Sequence, residues 1–279
     1  MSTKTLSLNR IADYAQFLHS EERAPATIEK YLHDVRAFAQ WLEDRPVTKE
    51  LAAQWKSALL TEGQAPATVN AKLSALNGLF RFLGWDDCRV KFLKLQRRVF
   101  RDASRDLSRG EYDRLLEAAS GTEQLGLLMQ TICATGIRVS EVRYITVEAA
   151  AAGRADIALK GKIRTILLPG KLCRKLLKYA KKQKIVSGEI FLTKDGTGLT
   201  RHQIWRRMKA LCKKANVEAS KVFPHNLRHL FAATFYRATR DIVKLADVLG
   251  HSSINTTRIY LLSTGTEHAR QLERLGLIC

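Results

Sequence analysis

The sequence predicts a mainly α-helical protein with one small β hairpin, built as two domains. Three observations carry this. Apolar residues recur every three or four positions through most of the chain, the period of an amphipathic helix. One short segment, 155–168, instead shows apolar residues on two arms around Lys160-Gly161-Lys162, the pattern of a hairpin. A basic stretch of weak periodicity separates the first hundred residues from the rest. We therefore place an N-terminal helical bundle at residues 1–98, a basic linker at 99–106 and a second domain at 107–279. A chain of 279 residues is long enough for two such domains, each with its own core.

In the first domain, Ile28, Tyr31, Leu32, Val35, Phe38, Ala39 and Leu42 line one helix face. A second copy of the start signal follows: Ala24-Pro25-Ala26-Thr27-Ile28 returns as Ala65-Pro66-Ala67-Thr68-Val69, 41 residues on. Proline at a first helical position with threonine beside it is a plausible helix start and cap. Both copies end in an apolar pair, Trp41-Leu42 and Phe82-Leu83. Repetition of a helical hairpin would give a bundle of about four helices.

The second domain opens with Ser108 and Glu111 at capping-box spacing. A helix with Leu127, Leu128 and Ile132 follows and breaks at Gly136. In the hairpin, Ile157 and Leu159 lie on one arm and Ile163, Ile166 and Leu168 on the other. Lysines and arginines from Lys171 to Lys184 share a helical stretch with apolar Leu172, Leu176 and Leu177, and Arg201, Arg206 and Arg207 mark another. Gly250 reads as the cap of a helix carrying Ile242, Leu245, Ala246 and Leu249.

The formal net charge is +20, which points to a polyanion, most simply nucleic acid. The charge is uneven. Residues 1–98 carry 15 basic and 11 acidic side chains, whereas 99–279 carry 32 and 16, so the second domain should dominate contact with phosphate. The linker region adds Arg97 and Arg98. The five cysteines are scattered, with no C-x-x-C pair, which suggests neither a zinc site nor a disulfide framework and fits a reducing cytoplasm. No apolar run reaches membrane-spanning length, and the first ten residues lack a signal-peptide core.

The chemistry concentrates in four places. Thr135-Gly136-Ile137-Arg138-Val139-Ser140-Glu141 carries an arginine and a glutamate. Pro224-His225-Asn226-Leu227-Arg228-His229 carries a His-x-x-Arg spacing. Leu249-Gly250-His251 follows, and nine residues after His251 comes Tyr260. Two arginines can hold charge on phosphate oxygens, histidines can move protons near neutral pH, and tyrosine can act as a covalent nucleophile. Taken singly, each has a plainer reading: a surface ion pair for Arg138, a helix cap for His251, a core aromatic for Tyr260.

In wording and spacing this set resembles the catalytic site of the tyrosine recombinases, the phage integrase family, in particular its Xer-like and mobile-element members. The resemblance implies transesterification: tyrosine attacks a DNA phosphodiester, leaving a 3′-phosphotyrosine bond and a free 5′-hydroxyl. The bond energy is kept, so no metal, ATP or other cofactor is called for. It makes Arg138 and Arg228 the phosphate clamps, His225 the acceptor of the tyrosine proton or a phosphate donor, His251 a donor to phosphate and Tyr260 the nucleophile. Glu141 would support its neighbours. Lys160 matches the hairpin lysine that protonates the leaving oxygen, and because the segment is shorter than the family wording, Lys162 is the alternative. His229 reads as a packing histidine. Lys162, Arg164, Arg201, Arg206, Arg207, Arg97 and Arg98 are candidate DNA contacts.

By the same resemblance, the N-terminal bundle is a SAM-like core-binding domain, and the two domains clamp duplex DNA at a specific recombination site. The protein would act as a synaptic tetramer in the cytoplasm, with the nucleoid, and an accessory DNA-bending factor is possible. No extra arm-binding domain is expected before the bundle. The tail beyond Tyr260, with Leu272, Leu275 and Leu277, would dock on a neighbouring subunit or on its own domain. Two rival classes share parts of this pattern. One is a relaxing type IB topoisomerase. The other is a regulator that uses Leu245 to Ser252 as part of a helix-turn-helix, which gives Arg138 and Lys160 no role.

Overall fold

The structure is a computed structural model and describes residues 4–95, 103–159, 162–261, 270 and 273–275. The chain divides into two compact units, Met1–Arg97 and Arg98–Cys279. Among the expected residues, Arg97, Arg98, Lys160 and most of the tail beyond Leu261 lie outside those described, and the Lys162 side chain does too.

The first unit holds α1 (Leu8–Ser20), α2 (Pro25–Leu42), α3 (Lys49–Thr61) and α4 (Pro66–Phe82). α3 begins 41 residues after α1, and α4 begins 41 residues after α2, so the repeated sequence marks a repeated helical hairpin. Ser7 and Thr48 cap α1 and α3 through their side chains. The threonines of the repeat do not cap α2 and α4, contrary to the sequence expectation. Ala24 and Ala65 stand at the cap and proline follows at the first helical position. Proline has no N–H to satisfy there and its φ is already helical, so a side-chain cap has less to do. Thr27 and Thr68 sit inside the first turn, their backbone N–H groups donating to Ala24 O and Ala65 O.

The bundle core is aromatic at its centre. Phe38 meets Trp55 edge-on at 5.1 Å and Phe80 at 6.1 Å, and Leu42, Leu73 and Leu76 fill around them. Burial of side chains this large contributes roughly 2–3 kcal/mol each. Gly78 admits the Tyr14 ring, since a Cβ at that position would lie 2.6 Å from the phenolic oxygen. Asn70 and Asn77, two turns apart on α4, each bond both backbone groups of one residue in the departing segment. Asn77 pairs with Val90 at 2.9 and 3.0 Å and Asn70 with Leu93 at 2.9 and 2.8 Å. An extended strand-like exit is thereby held without a sheet.

The second unit runs α5 (Arg109–Ala118), α6 (Glu123–Thr135), a 3₁₀ segment Val139–Tyr144, α7 (Val147–Ala152), β1 (Arg154–Leu159), β2 (Lys162–Leu167), α8 (Gly170–Lys182), α9 (Arg201–Ala210), α10 (Cys212–Ala215), α11 (Pro224–Thr239), α12 (Ile242–Leu249), α13 (Ile254–Arg258) and a 3₁₀ turn Ile259–Leu261. The Ser108–Glu111 capping box forms as the sequence predicts. α6 is the central helix, with Leu128, Met129 and Ile132 fully buried. It packs on α8, α9 and α11. α8 buries Leu172 and Leu176 and turns its lysines outward, where Lys175 bonds Gln130 and Lys182 pairs with Glu123.

β1 and β2 pair antiparallel, with Leu159 opposite Lys162 and Ile157 opposite Arg164. Lys162 thus opens the second strand instead of completing the turn. Side chains alternate across a strand. Ile166 and Leu168 face the core, whereas Ile163 is 81% exposed. Arg164 shares the parity of Ile166, and this sends it inward.

Candidate active site

The end of α6 builds the first wall of the site. Gly136 caps the helix in the left-handed region, φ +65°, and its missing side chain leaves room for Phe231 and Leu249. The chain then turns so that Arg138 stands at the start of the 3₁₀ segment. Glu141, 1% exposed, reaches back to it twice: Oε2 accepts from the Arg138 backbone N–H at 2.7 Å and Oε1 from the guanidinium at 2.8 Å. Burial alone would raise the Glu141 carboxyl, but the Arg138 hydrogen bonds and the charge of Arg164 outweigh it and hold its pKa below the ordinary value.

Arg164 is the second arginine on that carboxylate. Its Nη2 donates to Glu141 Oε2 at 2.5 Å and its Nη1 to the Val248 carbonyl at 3.1 Å. The sequence placed it among DNA contacts. The structure corrects this, because the guanidinium is folded inward and its side chain is 16% exposed.

α11 builds the opposite wall. Its first turn presents His225, and Arg228 one turn on is 2% exposed. Arg228 donates to the Gly136 carbonyl, to Leu249 O at 2.9 Å and to His251 Nε2 at 2.9 Å. A guanidinium can only donate, so His251 Nε2 accepts. Its proton then sits on Nδ1, which donates to Thr257 Oγ1 at 2.8 Å. Burial first, then the Arg228, Arg138 and Arg164 charges, push the His251 pKa down to about 4. Both ring nitrogens are therefore engaged within the protein, and for His251 to donate to phosphate its Arg228 contact must be exchanged.

Tyr260 is 6% exposed. It packs with Ala232, Leu245 and Leu249, and three histidine rings surround it: His229 at 5.0 Å, His225 at 5.7 Å and His251 at 5.8 Å, the last nearly parallel. The Arg228 guanidinium and the Tyr260 hydroxyl interact electrostatically, which favours the charged guanidinium. His225 is on the exposed wall, and desolvation by the surrounding side chains, with Arg228, Arg138 and Arg201, lowers its pKa below 6.5.

A cleft of about 640 Å³ opens beside these groups, lined by Arg138, Ser140, Arg201, His202, Trp205, His225 and Arg228 among others. Arg201, expected as a DNA contact, thus joins the site. Arg206 is exposed elsewhere on α9, and Arg207 turns away to bond Gln124 at 2.7 Å. His202 and Trp205, stacked at the rim, were not singled out from the sequence, although Arg201 and Trp205 share helix spacing. Thr257 was also missed; nothing in its local sequence separates it from Thr256. Among the described residues no group of three His, Cys, Asp or Glu side chains is placed to hold a metal ion.

The chain is similar to known proteins along most of its length. The phage integrase family model matches residues 105–266, and the model for the phage integrase N-terminal SAM-like domain matches 11–87. The chain is 30% identical to tyrosine recombinase XerA of Thermococcus kodakarensis over 94% of this chain and 93% of that protein. Its fold is similar to a lambda integrase (75–356) dimer bound to a core site, with TM-score 0.74 at 20% identity over 92% and 95% of the two chains. It is also similar to a lambda integrase tetramer bound to a Holliday junction, with TM-score 0.74 at 20% identity over 93% and 78%. The chain belongs to the phage integrase family, the site-specific tyrosine recombinases.

Proposed function

We propose that this recombinase cuts and rejoins DNA through Tyr260. The tyrosine oxygen attacks phosphorus, its proton passes to His225, the bond to the 5′-oxygen breaks and the hairpin lysine protonates that oxygen. Lys160 is the first choice for the acid and Lys162 the second. The observation that carries the reading is the setting of Tyr260: the His229, His225 and His251 rings lie 5.0, 5.7 and 5.8 Å from its own, and Arg228, which bonds His251, lines one cleft with Arg138 and His225. Arg138 shares the Glu141 carboxylate with Arg164, whereas Arg228 donates to backbone carbonyls and to His251, so the clamp of Arg138 and Arg228 keeps positive charge that a phosphodiester can neutralise. His225, held neutral by its surroundings, is fit to take a proton.

DNA carrying a specific recombination site is the partner. We place the bundle, residues 1–98, and the catalytic domain, 107–279, on two faces of that duplex, joined by the basic linker 99–106. Four chains would meet on two sites and pass through a Holliday junction, and the tail would link neighbouring subunits. An accessory DNA-bending factor is compatible with this, as are action on a mobile element and residence in the cytoplasm with the nucleoid. No helix among the described residues is long and apolar enough to cross a membrane. The regulator reading is disfavoured by the segment it invokes, since Leu245 and Leu249 are buried beside Tyr260.

The test is a supercoiled plasmid carrying two copies of DNA that flanks the native gene, incubated with the protein in chelator and without ATP. Recombinant circles are expected. Relaxed circles without recombinants would favour the topoisomerase reading.

A further inference from the structure

Arg164, a candidate DNA contact by sequence, is folded inward with its side chain 16% exposed. What it does there is not explained by stability alone. A buried guanidinium is costly to desolvate, and a hydrophobic residue of the same parity as Ile166 would fill the position at less cost. The arginine instead joins three separate parts of the site. It begins on β2, the strand that leaves the hairpin turn. It reaches Glu141, which holds both the backbone and the side chain of Arg138. It also reaches Val248 O at the end of α12, just before the cap that turns the chain to His251. Gly250 is shaped around it: a Cβ there would overlap the Arg164 side chain, lying 2.8 Å from Nη1.

We propose that Arg164 is a positioning residue that fixes the hairpin, and with it the lysine acid, against the phosphate clamp. The inference rests on the reading of a hairpin lysine as general acid. Two candidates, Lys160 and Lys162, lie four and two residues from Arg164 on the same hairpin. Ile157 and Ile166 seat the hairpin on the core, but apolar contacts are non-directional and do not fix it against Arg138. Proton transfer to the departing oxygen needs the donor within hydrogen-bond reach, so a small drift of the hairpin would cost rate and spare binding. The Arg164 fork adds a directed anchor at two points, Glu141 and Val248 O, which a single lysine ammonium cannot do.

The experiment compares two DNA substrates that differ at the scissile bond, one with the natural 5′-oxygen and one with a bridging 5′-sulfur. A thiolate leaves without a proton, so loss of the acid, or of its placement, no longer matters on the sulfur substrate. Arg164→Ala, Arg164→Lys, Lys160→Ala and Lys162→Ala are assayed for DNA binding and for single-turnover cleavage. Arg164→Ala is expected to bind DNA within about twofold of wild type and to cleave the oxygen substrate roughly 100-fold more slowly, the low end of what general acid catalysis contributes. On the sulfur substrate its rate should return to within about threefold of wild type. Arg164→Lys should fall between the two and serves as the test if Arg164→Ala fails to fold. Equal slowing on both substrates, or no slowing on either, overturns the proposal. Rescue of one lysine variant without rescue of the arginine variants sinks the positioning role alone. Rescue of neither lysine variant removes the acid reading, and the proposal with it.

Discussion

His225 and His251 sit near the same tyrosine and receive different electrostatic treatment. His225 stands on the exposed wall with its pKa lowered below 6.5, so it remains a proton acceptor at pH values where a free histidine is half charged. The acid limb of the single-turnover cleavage profile is therefore expected to have its midpoint below 6.5, and a midpoint at or above that value would argue against His225 as the base. Burial first, and then the Arg228 charge, hold the His251 pKa down to about 4 in the folded protein. The unfolded chain takes up that proton near 6.5, so the unfolded state binds more protons between the two values and stability falls as pH drops through that window. Thermal unfolding followed from pH 7 to 4 should show this decline, and His251→Asn should flatten it.

Gly136 shows how one element positions two others. Its left-handed φ ends α6, and its bare Cα lets α11 approach closely enough for Arg228 to bond its carbonyl. Gly136→Ala adds both backbone strain and overlap with Phe231. A loss of about 1–3 kcal/mol is expected in denaturant unfolding, with cleavage reduced further than binding. The helices were legible because their signals are local: the Ala-Pro-Ala-Thr starts, the Ser108 box and the glycine stops all act within a turn or two. The cluster of Arg138, His225, Arg228, His251 and Tyr260 was legible because its wording matched a family. Three features were not. Arg164 reads as a DNA contact because of its charge, although its alternation with Ile166 and Leu168 places it on the buried face. The Thr27 and Thr68 caps failed because proline had met the need they were assigned. His251's contacts with Arg228 and Thr257 depend on how α11, α12 and α13 pack, which spacing along the chain does not encode.

At the scale of the molecule, the two units have separate cores and separate tasks. Phe38 anchors the first core, and Phe38→Ala is expected to cost roughly 3–5 kcal/mol by equilibrium unfolding of the bundle, leaving the cleft groups of the second unit in place. The net charge of +20 predicts that DNA binding falls steeply with salt. The slope of log affinity against log salt should be close to −0.9 for each phosphate contacted on duplex DNA, and a near-zero slope would contradict a backbone-led interface. Arg201→Ala, at the cleft, should reduce that slope by about one.

The account depends most on Tyr260. Wild type and Tyr260→Phe are incubated with nicked duplexes tiled across the DNA flanking the native gene, in chelator and without ATP, then denatured in SDS and separated. A protein–DNA adduct is expected only in wild type, with peptide mass spectrometry locating the nucleotide on Tyr260. Tyr260→Phe should still bind the same duplexes. An adduct that persists in Tyr260→Phe would contradict the account by placing the nucleophile on another side chain.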